Sequence, residues 1–277
     1  MKVEQIEEII EPDYEYLVKE LKDNIISIFI IGSMQNSKME LKKNNDYDLR
    51  IVVKKMDEYT YRVIVNFNET IKKKIISRLN IDVNYSLIIG PARYITKSKI
   101  TLLIHCIPLT IETLDNLPLT HKYSYSNNYR LIFGKDILKQ YKTIRYSGKD
   151  IIECTEGINY CIDMINNNTL KYAEWKINNK SIKVMNETQR MDENIMFEVL
   201  RYSISKSIYN SIQINKWKGK ERYNNEKDYL KSLNINDRII NDVENLISCN
   251  FESFKRNKER FKKETLEILE TIKQHIK

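Results

Sequence analysis

Asp46 and Asp48 are two residues apart, at the head of the run Tyr47–Val53, which reads as a β-strand. Side chains alternate along a strand, so both carboxylates face the same side while Tyr47 between them points into the core. Their Cα atoms are then about 6–7 Å apart, and two carboxylates at that spacing repel each other unless a cation sits between them. Magnesium suits such a pair because it takes carboxylate oxygens and completes its shell with water and substrate phosphates. Gly32-Ser33 ends an earlier apolar run, Ile25–Ile31. Gly32 has no side chain to keep a phosphate from its backbone, and Ser33 adds a hydroxyl donor. A helix starting after Ser33 would turn free N–H groups toward an anion. Asp82, in Leu79-Asn80-Ile81-Asp82-Val83-Asn84, is the candidate third acid, expected on a strand adjacent to the pair. With it, two magnesium ions are expected, one orienting a triphosphate and one activating an acceptor hydroxyl. Asp82 is open to a second role, as general base for that hydroxyl.

These residues need strands to carry them. The spacing of Val3, Ile6, Ile9, Ile10, Leu17, Val18 and Leu21 predicts an amphipathic helix over 3–22, with a possible break at Pro12. Ile25–Ile31 and Tyr47–Val53 read as strands, separated by a short helix and a loop over 34–45. Residues 57–79 read as a helix, although Tyr61–Phe67 is rich in β-branched residues. Ile81–Ile89, ended by Gly90-Pro91, and Ile100–Ile107, stopped at Pro108, read as the third and fourth strands. His105 lies in the last of these apolar runs and reads as a core histidine. Beyond Asp150 little strand pattern is expected. Stripes at Ile151, Cys154, Ile158, Cys161 and Ile165, at Met196, Leu200, Ile204, Ile208 and Ile212, and at Ile239, Ile240, Val243, Leu246 and Ile247 predict bundle helices. Phe254, Phe261, Leu269, Ile272 and Ile276 predict a closing helix. The fold class expected is α+β: a small mixed β-sheet domain over 1–145, then an all-α helical-bundle domain over 146–277.

Composition excludes some functions. Cys106, Cys154, Cys161 and Cys249 form no C-x-x-C pair and only three histidines accompany them, which argues against a zinc site. No stretch reads as a signal peptide or membrane span, so no membrane partner and a cytoplasmic location are expected. The net charge is +8. Its lysines are spread along the whole chain, so solvated lysine-rich helices explain it better than a nucleic-acid surface does.

The order G-S, then D-x-D, then a later acid resembles the nucleotidyltransferase superfamily that includes DNA polymerase β. Within it, the chain is most similar to the streptomycin/spectinomycin adenylyltransferases. Asn45-Asp46-Tyr47-Asp48-Leu49 matches their polar-D-x-D-L stretch, and Ile81-Asp82-Val83 matches the strand with their third acid. Leu131-Ile132-Phe133-Gly134-Lys135-Asp136 matches a segment before their helical domain. Glu226-Lys227-Asp228-Tyr229-Leu230 resembles a segment whose lysine contacts nucleotide phosphates.

The resemblance implies a nucleotidyltransferase domain and a helical substrate-binding domain. It implies ATP as co-substrate, AMP transfer to a hydroxyl of a small molecule of the aminoglycoside-antibiotic kind, and a role in antibiotic resistance. Nucleotide contacts are expected from Gly32, Ser33, Asn45, Lys38 and Lys227, and metal ligation and catalysis from Asp46, Asp48 and Asp82. Two departures stand out. Met34-Gln35-Asn36-Ser37-Lys38 lacks the arginine or further glycine of many relatives, so Lys38 is the substitute expected. Asp82 stands where relatives often have Glu. By residue type alone, Lys227 reads as a solvated helix lysine. Transfer to RNA, protein or another nucleotide, and a non-catalytic nucleotide-binding module, remain the alternatives.

Overall fold

The computed structural model describes residues 2–40, 45–89, 101–143, 147–178, 181–219, 223, 225–248 and 251–276. Asn44, Gly90, Pro91, Ile100 and Cys249 lie outside them. The chain forms two compact units. The first comprises Met1–Leu117, His121–Ile144 and Tyr172–Glu187, and the second Pro118–Thr120, Arg145–Lys171 and Thr188–Lys277.

In the first unit, α1 (Val3–Leu21) runs through Pro12 without breaking. Strand β1 (Ile25–Ile31) follows, then one 3₁₀ turn over Gly32–Gln35, and β2 (Asn45–Val53). Helix α2 (Glu58–Leu79) begins at Asp57, whose carboxylate accepts from the Thr60 N–H at 2.9 Å. That cap satisfies one of the amides a helix start leaves unpaired, and packing of Val63, Ile64 and Phe67 overrides their β-branched and aromatic preference. Next come β3 (Val83–Ser86), β4 (Leu102–Thr110), the short helices α3 (Ile111–Asp115) and α4 (Leu119–Asn127), and β5 (Tyr129–Gly134).

The five strands form one mixed sheet in the order β3-β4-β2-β1-β5. β1 is antiparallel to β2 and β5, while β4 is parallel to β2 and to β3. One sheet face packs on α1 and α2 through Tyr47, Leu49, Ile51, Leu102, Ile104 and Cys106. The other carries Phe29, Ile31, Val52, Ile107 and Leu109 in a smaller cluster.

β4 does not stop at Pro108. It continues to Thr110, with Pro108 opposite Ile51. β3 covers β4 only from Leu102 to His105, so beyond that point, among the described residues, one side of β4 lacks a strand partner. A proline without an N–H is tolerated on such a side. Its carbonyl there accepts from the Trp175 indole N–H at 3.0 Å.

The second unit contains α5 (Gly148–Asn167), α6 (Glu193–Trp217), α7 (Glu226–Ser232), α8 (Asp237–Ser248) and α9 (Phe251–Ile276). The apolar stripes are its core: Cys154, Ile158, Cys161 and Ile165 of α5 are buried, as are Leu200, Ile204 and Ile208 of α6 and Phe254, Leu269 and Ile272 of α9. A sheet-then-helices order therefore holds. The range 146–277 is interrupted once, where β6 (Thr169–Asn178) and β7 (Ser181–Arg190) make a hairpin. Its residues Tyr172–Glu187 group with the first unit. A local sign of it existed, since Trp175 and Ile177 alternate with Glu174 and Lys176. Among the described residues, no helix is long and apolar enough to cross a membrane.

Candidate functional site

β2 puts Asp46, Asp48, Arg50 and Val52 on one face and Tyr47, Leu49 and Ile51 on the other. Tyr47 is fully buried and its hydroxyl meets that of Tyr14 at 3.1 Å. The last paired residue of β1, Ile31, stands opposite Asp48. Gly32 comes next in the chain, in the left-handed region at φ +75°. A Cβ added there would lie 3.4 Å from Asp48 Oδ2. Gly32 is thus suited twice over, by backbone conformation and by the space it leaves before the carboxylate.

The other oxygen of Asp48 is taken. Oδ1 accepts from His105 Nδ1 at 2.9 Å and from Arg50 Nη2 at 3.3 Å. Arg50 is buried and also donates to the backbone carbonyls of Leu49 and His105 and to the Tyr125 hydroxyl, with its guanidinium over the Tyr125 ring. Burial by itself would raise the Asp48 pKa, but the His105 hydrogen bond and the Arg50 charge outweigh it and hold the carboxyl below its usual range. Asp48 is therefore an ionised group with one restrained oxygen and one directed at Gly32.

Asp82 is not brought onto the strand beside the pair. That strand is β4, where Asp46 stands opposite Leu103 and Asp48 opposite His105. Asp82 precedes β3, one strand further out and roughly 9–10 Å across the sheet from β2 by strand spacing. It is exposed, and its carbonyl accepts from the amides of Thr101 and Leu102. Among the described residues, no three His, Cys, Asp or Glu side chains come together as a set able to hold a metal ion. β2 thus carries Asp46 and Asp48 on one face, while Asp82 lies at the head of β3, one strand further out. Asp46 and Asp48 alone do fit a single magnesium: two carboxylates on one strand face, one with an oxygen toward an open glycine backbone, leave the remaining positions for phosphate oxygens and water.

The expected phosphate cradle is also modified. β1 leads into a four-residue 3₁₀ turn rather than an α-helix, and the Gly32 N–H donates to the Asn128 carbonyl at 2.9 Å. Ser33 and Lys38 are exposed on this connection, and the Lys38 amide donates to Asn36 Oδ1. Asn45 opens β2 opposite Leu102. Lys227 belongs to the second unit, where its Nζ pairs with Glu244 of α8 at 3.1 Å.

Sequence reasoning missed two residues, Arg50 and His105. Both carried a signal. Arg50 is two residues past Asp48 in an otherwise apolar strand, hence on the carboxylate face. His105 alternates with Leu103 and Ile107, whereas Ile104 and Cys106 belong to the α1/α2 face.

No protein-family model matches the chain, and no curated protein matches it in sequence. Among solved structures, spectinomycin adenyltransferase AAD(9) from Enterococcus faecialis, crystallised with ATP and spectinomycin, aligns with 94% of this chain and 98% of that one. The TM-score is 0.50 and the identity 14%. A mutant of the MntA-HpeT toxin–antitoxin complex aligns with 57% of this chain and 96% of its own, at a TM-score of 0.27 and 9% identity, too remote to carry an argument. At 14% identity, the similarity to the spectinomycin adenyltransferase shows that the chain shares the fold of that protein.

Proposed function

We propose that this chain is a magnesium-dependent nucleotidyltransferase that moves AMP from ATP onto a hydroxyl of a small molecule of the aminoglycoside-antibiotic kind. The observation that carries the reading is the Asp46/Asp48 pair on one face of β2, with Asp48 Oδ2 directed at Gly32. A pair so placed, in a fold of this kind, has the donor set for a metal-bound triphosphate. The resemblance to a protein crystallised with ATP and spectinomycin supports both the donor and the acceptor class.

A magnesium ion held by Asp46 and Asp48 would neutralise triphosphate charge and increase the electrophilicity of the α-phosphorus. The residues do the positioning. His105 and Arg50 keep Asp48 ionised and oriented. Gly32 leaves room for phosphate oxygens beside it. The acceptor hydroxyl oxygen attacks the α-phosphorus in line; its proton passes to a base as the new P–O bond forms, and pyrophosphate leaves with the electron pair of the bond that breaks. Asp82, exposed just before β3, is the candidate for that base or for a further metal ligand.

The test is incubation with α-labelled ATP and magnesium against a panel of hydroxylated antibiotics, RNA and protein, with products resolved by mass. A small-molecule product gaining one AMP, absent in Asp46→Asn, supports the reading. Label entering only RNA or protein overturns the acceptor. A protein that binds ATP and magnesium but transfers nothing is a binding module.

A further inference from the structure

β4 lies directly beside β2, in parallel, and places His105 level with Asp48. The ring is mostly enclosed, its side chain 12% exposed. Nε2 is 3.0 Å from the Ile88 carbonyl oxygen, which only accepts, so Nε2 carries a hydrogen and donates. Nδ1 is 2.9 Å from Asp48 Oδ1, an ionised oxygen that also accepts. Both ring nitrogens are therefore engaged in hydrogen bonds. Leu103 and Ile107 flank it on the same strand face, where an apolar side chain would pack at no polar cost. A histidine bonded at both ends there fixes its neighbour instead. Arg50 restrains the same Oδ1. Oδ2 remains, and it is the oxygen that a Cβ at position 32 would touch.

We infer that His105 is a positioning residue for Asp48, holding Oδ1 so that Oδ2 is the oxygen presented to a metal-bound nucleotide. This rests on the nucleotidyl-transfer reading of the same site. The ring decides which of two chemically equal oxygens is offered, and so removes a rotation that metal binding would otherwise have to freeze.

Two amides separate this role from packing. In His105→Asn the side-chain N–H₂ falls near the place of Nδ1 and keeps a donor toward Asp48. In His105→Gln it falls near the place of Nε2 and keeps only the Ile88 contact. His105→Leu fills the space with neither. Manganese is the spin probe, titrated with ATP into the full chain and read by electron paramagnetic resonance, with thermal melts alongside. Outer-shell partners of metal ligands are worth roughly 10–100-fold in affinity. Expected is a loss of about tenfold or more in His105→Gln and His105→Leu and of less than about threefold in His105→Asn. A merely structural histidine would instead give metal affinities that follow the melting temperatures, with Asn and Gln alike. Wild-type binding that all three variants retain overturns the positioning role and leaves nucleotidyl transfer standing. A wild-type protein that binds no manganese with ATP overturns both. Binding by wild type that Asp46→Asn abolishes upholds the site independently of His105.

Discussion

β2 has two faces built on opposite principles. Toward α1 and α2 it presents Tyr47, Leu49 and Ile51, each fully buried, and its stability there comes from apolar area removed from water. On the other side it presents Asp46, Asp48 and Arg50 before turning apolar again at Val52. Charges so near a core persist only when each is compensated, and here Arg50 and His105 compensate Asp48. The same holds one strand over, where Cys106 faces the α1/α2 core and His105 the carboxylates. Burial pushes the Cys106 thiol up to about 12, while its neighbour is polar and engaged. One face supplies rigidity, and the other uses it to hold groups that would repel in a looser frame.

Substitutions on the two faces should therefore fail differently. The largest effect expected is on activity. Asp46→Asn removes the proposed metal ligand and with it several kcal/mol of transition-state charge stabilisation, about a thousandfold or more in kcat. Denaturant midpoints should move little, and a large fall in stability with activity intact would reverse the assignment of faces. Next is Leu49→Ala, on the apolar face between Asp48 and Arg50. It should lower unfolding free energy by about 2–5 kcal/mol. Activity of the fraction still folded, measured well below the melting temperature, should drop far less than in Asp46→Asn.

Arg50→Met sharpens the comparison, because it is the point where the faces meet. It leaves Asp48 without its cation, and since Asp48 keeps partial contact with solvent the expected cost is about 2 kcal/mol in urea unfolding. The smallest effect lies in the frame, at the Asp57 cap of α2. The Thr60 amide that bonds Asp57 holds its pKa below the usual carboxylate value. A carboxyl depressed in the folded state adds stability that is present above its unfolded pKa of about 3.9 and is lost as pH falls through the folded value. Asp57→Asn keeps an acceptor for Thr60 but cannot titrate. Stability at pH 7 should change by less than about 1 kcal/mol, and the acid slope between the two pKa values should flatten. An unchanged slope would deny Asp57 that part.

Much of the molecule is legible from local pattern. The stripe from Val3 to Leu21 is α1, and its Pro12 is accommodated inside the helix. Cys154, Ile158, Cys161 and Ile165 are one buried stripe of α5. Tyr47 faces the core because strand residues alternate. The hairpin β6–β7 is not legible in the same way, because strands so interspersed with lysine, glutamate and asparagine resemble a solvated loop when no turn glycine marks them. Asp82 reads as a third ligand because it shares a run of β-branched residues with the start of a strand, yet nothing in that run says which strand it neighbours.

Local periodicity is enough to place Asp46 and Asp48 on one side of a strand, because two residues of extended chain return a side chain to the same face whatever surrounds it. Gly32 beside an apolar run needs no more than its own backbone freedom to be noticed. Strand order is different in kind. β4 rather than β3 lies against β2 because of long crossovers and packing that no short segment encodes, and this set His105 level with Asp48 and Asp82 one strand further out. The tertiary structure alone decided which side chains meet, since meeting is set by register between segments far apart in the chain.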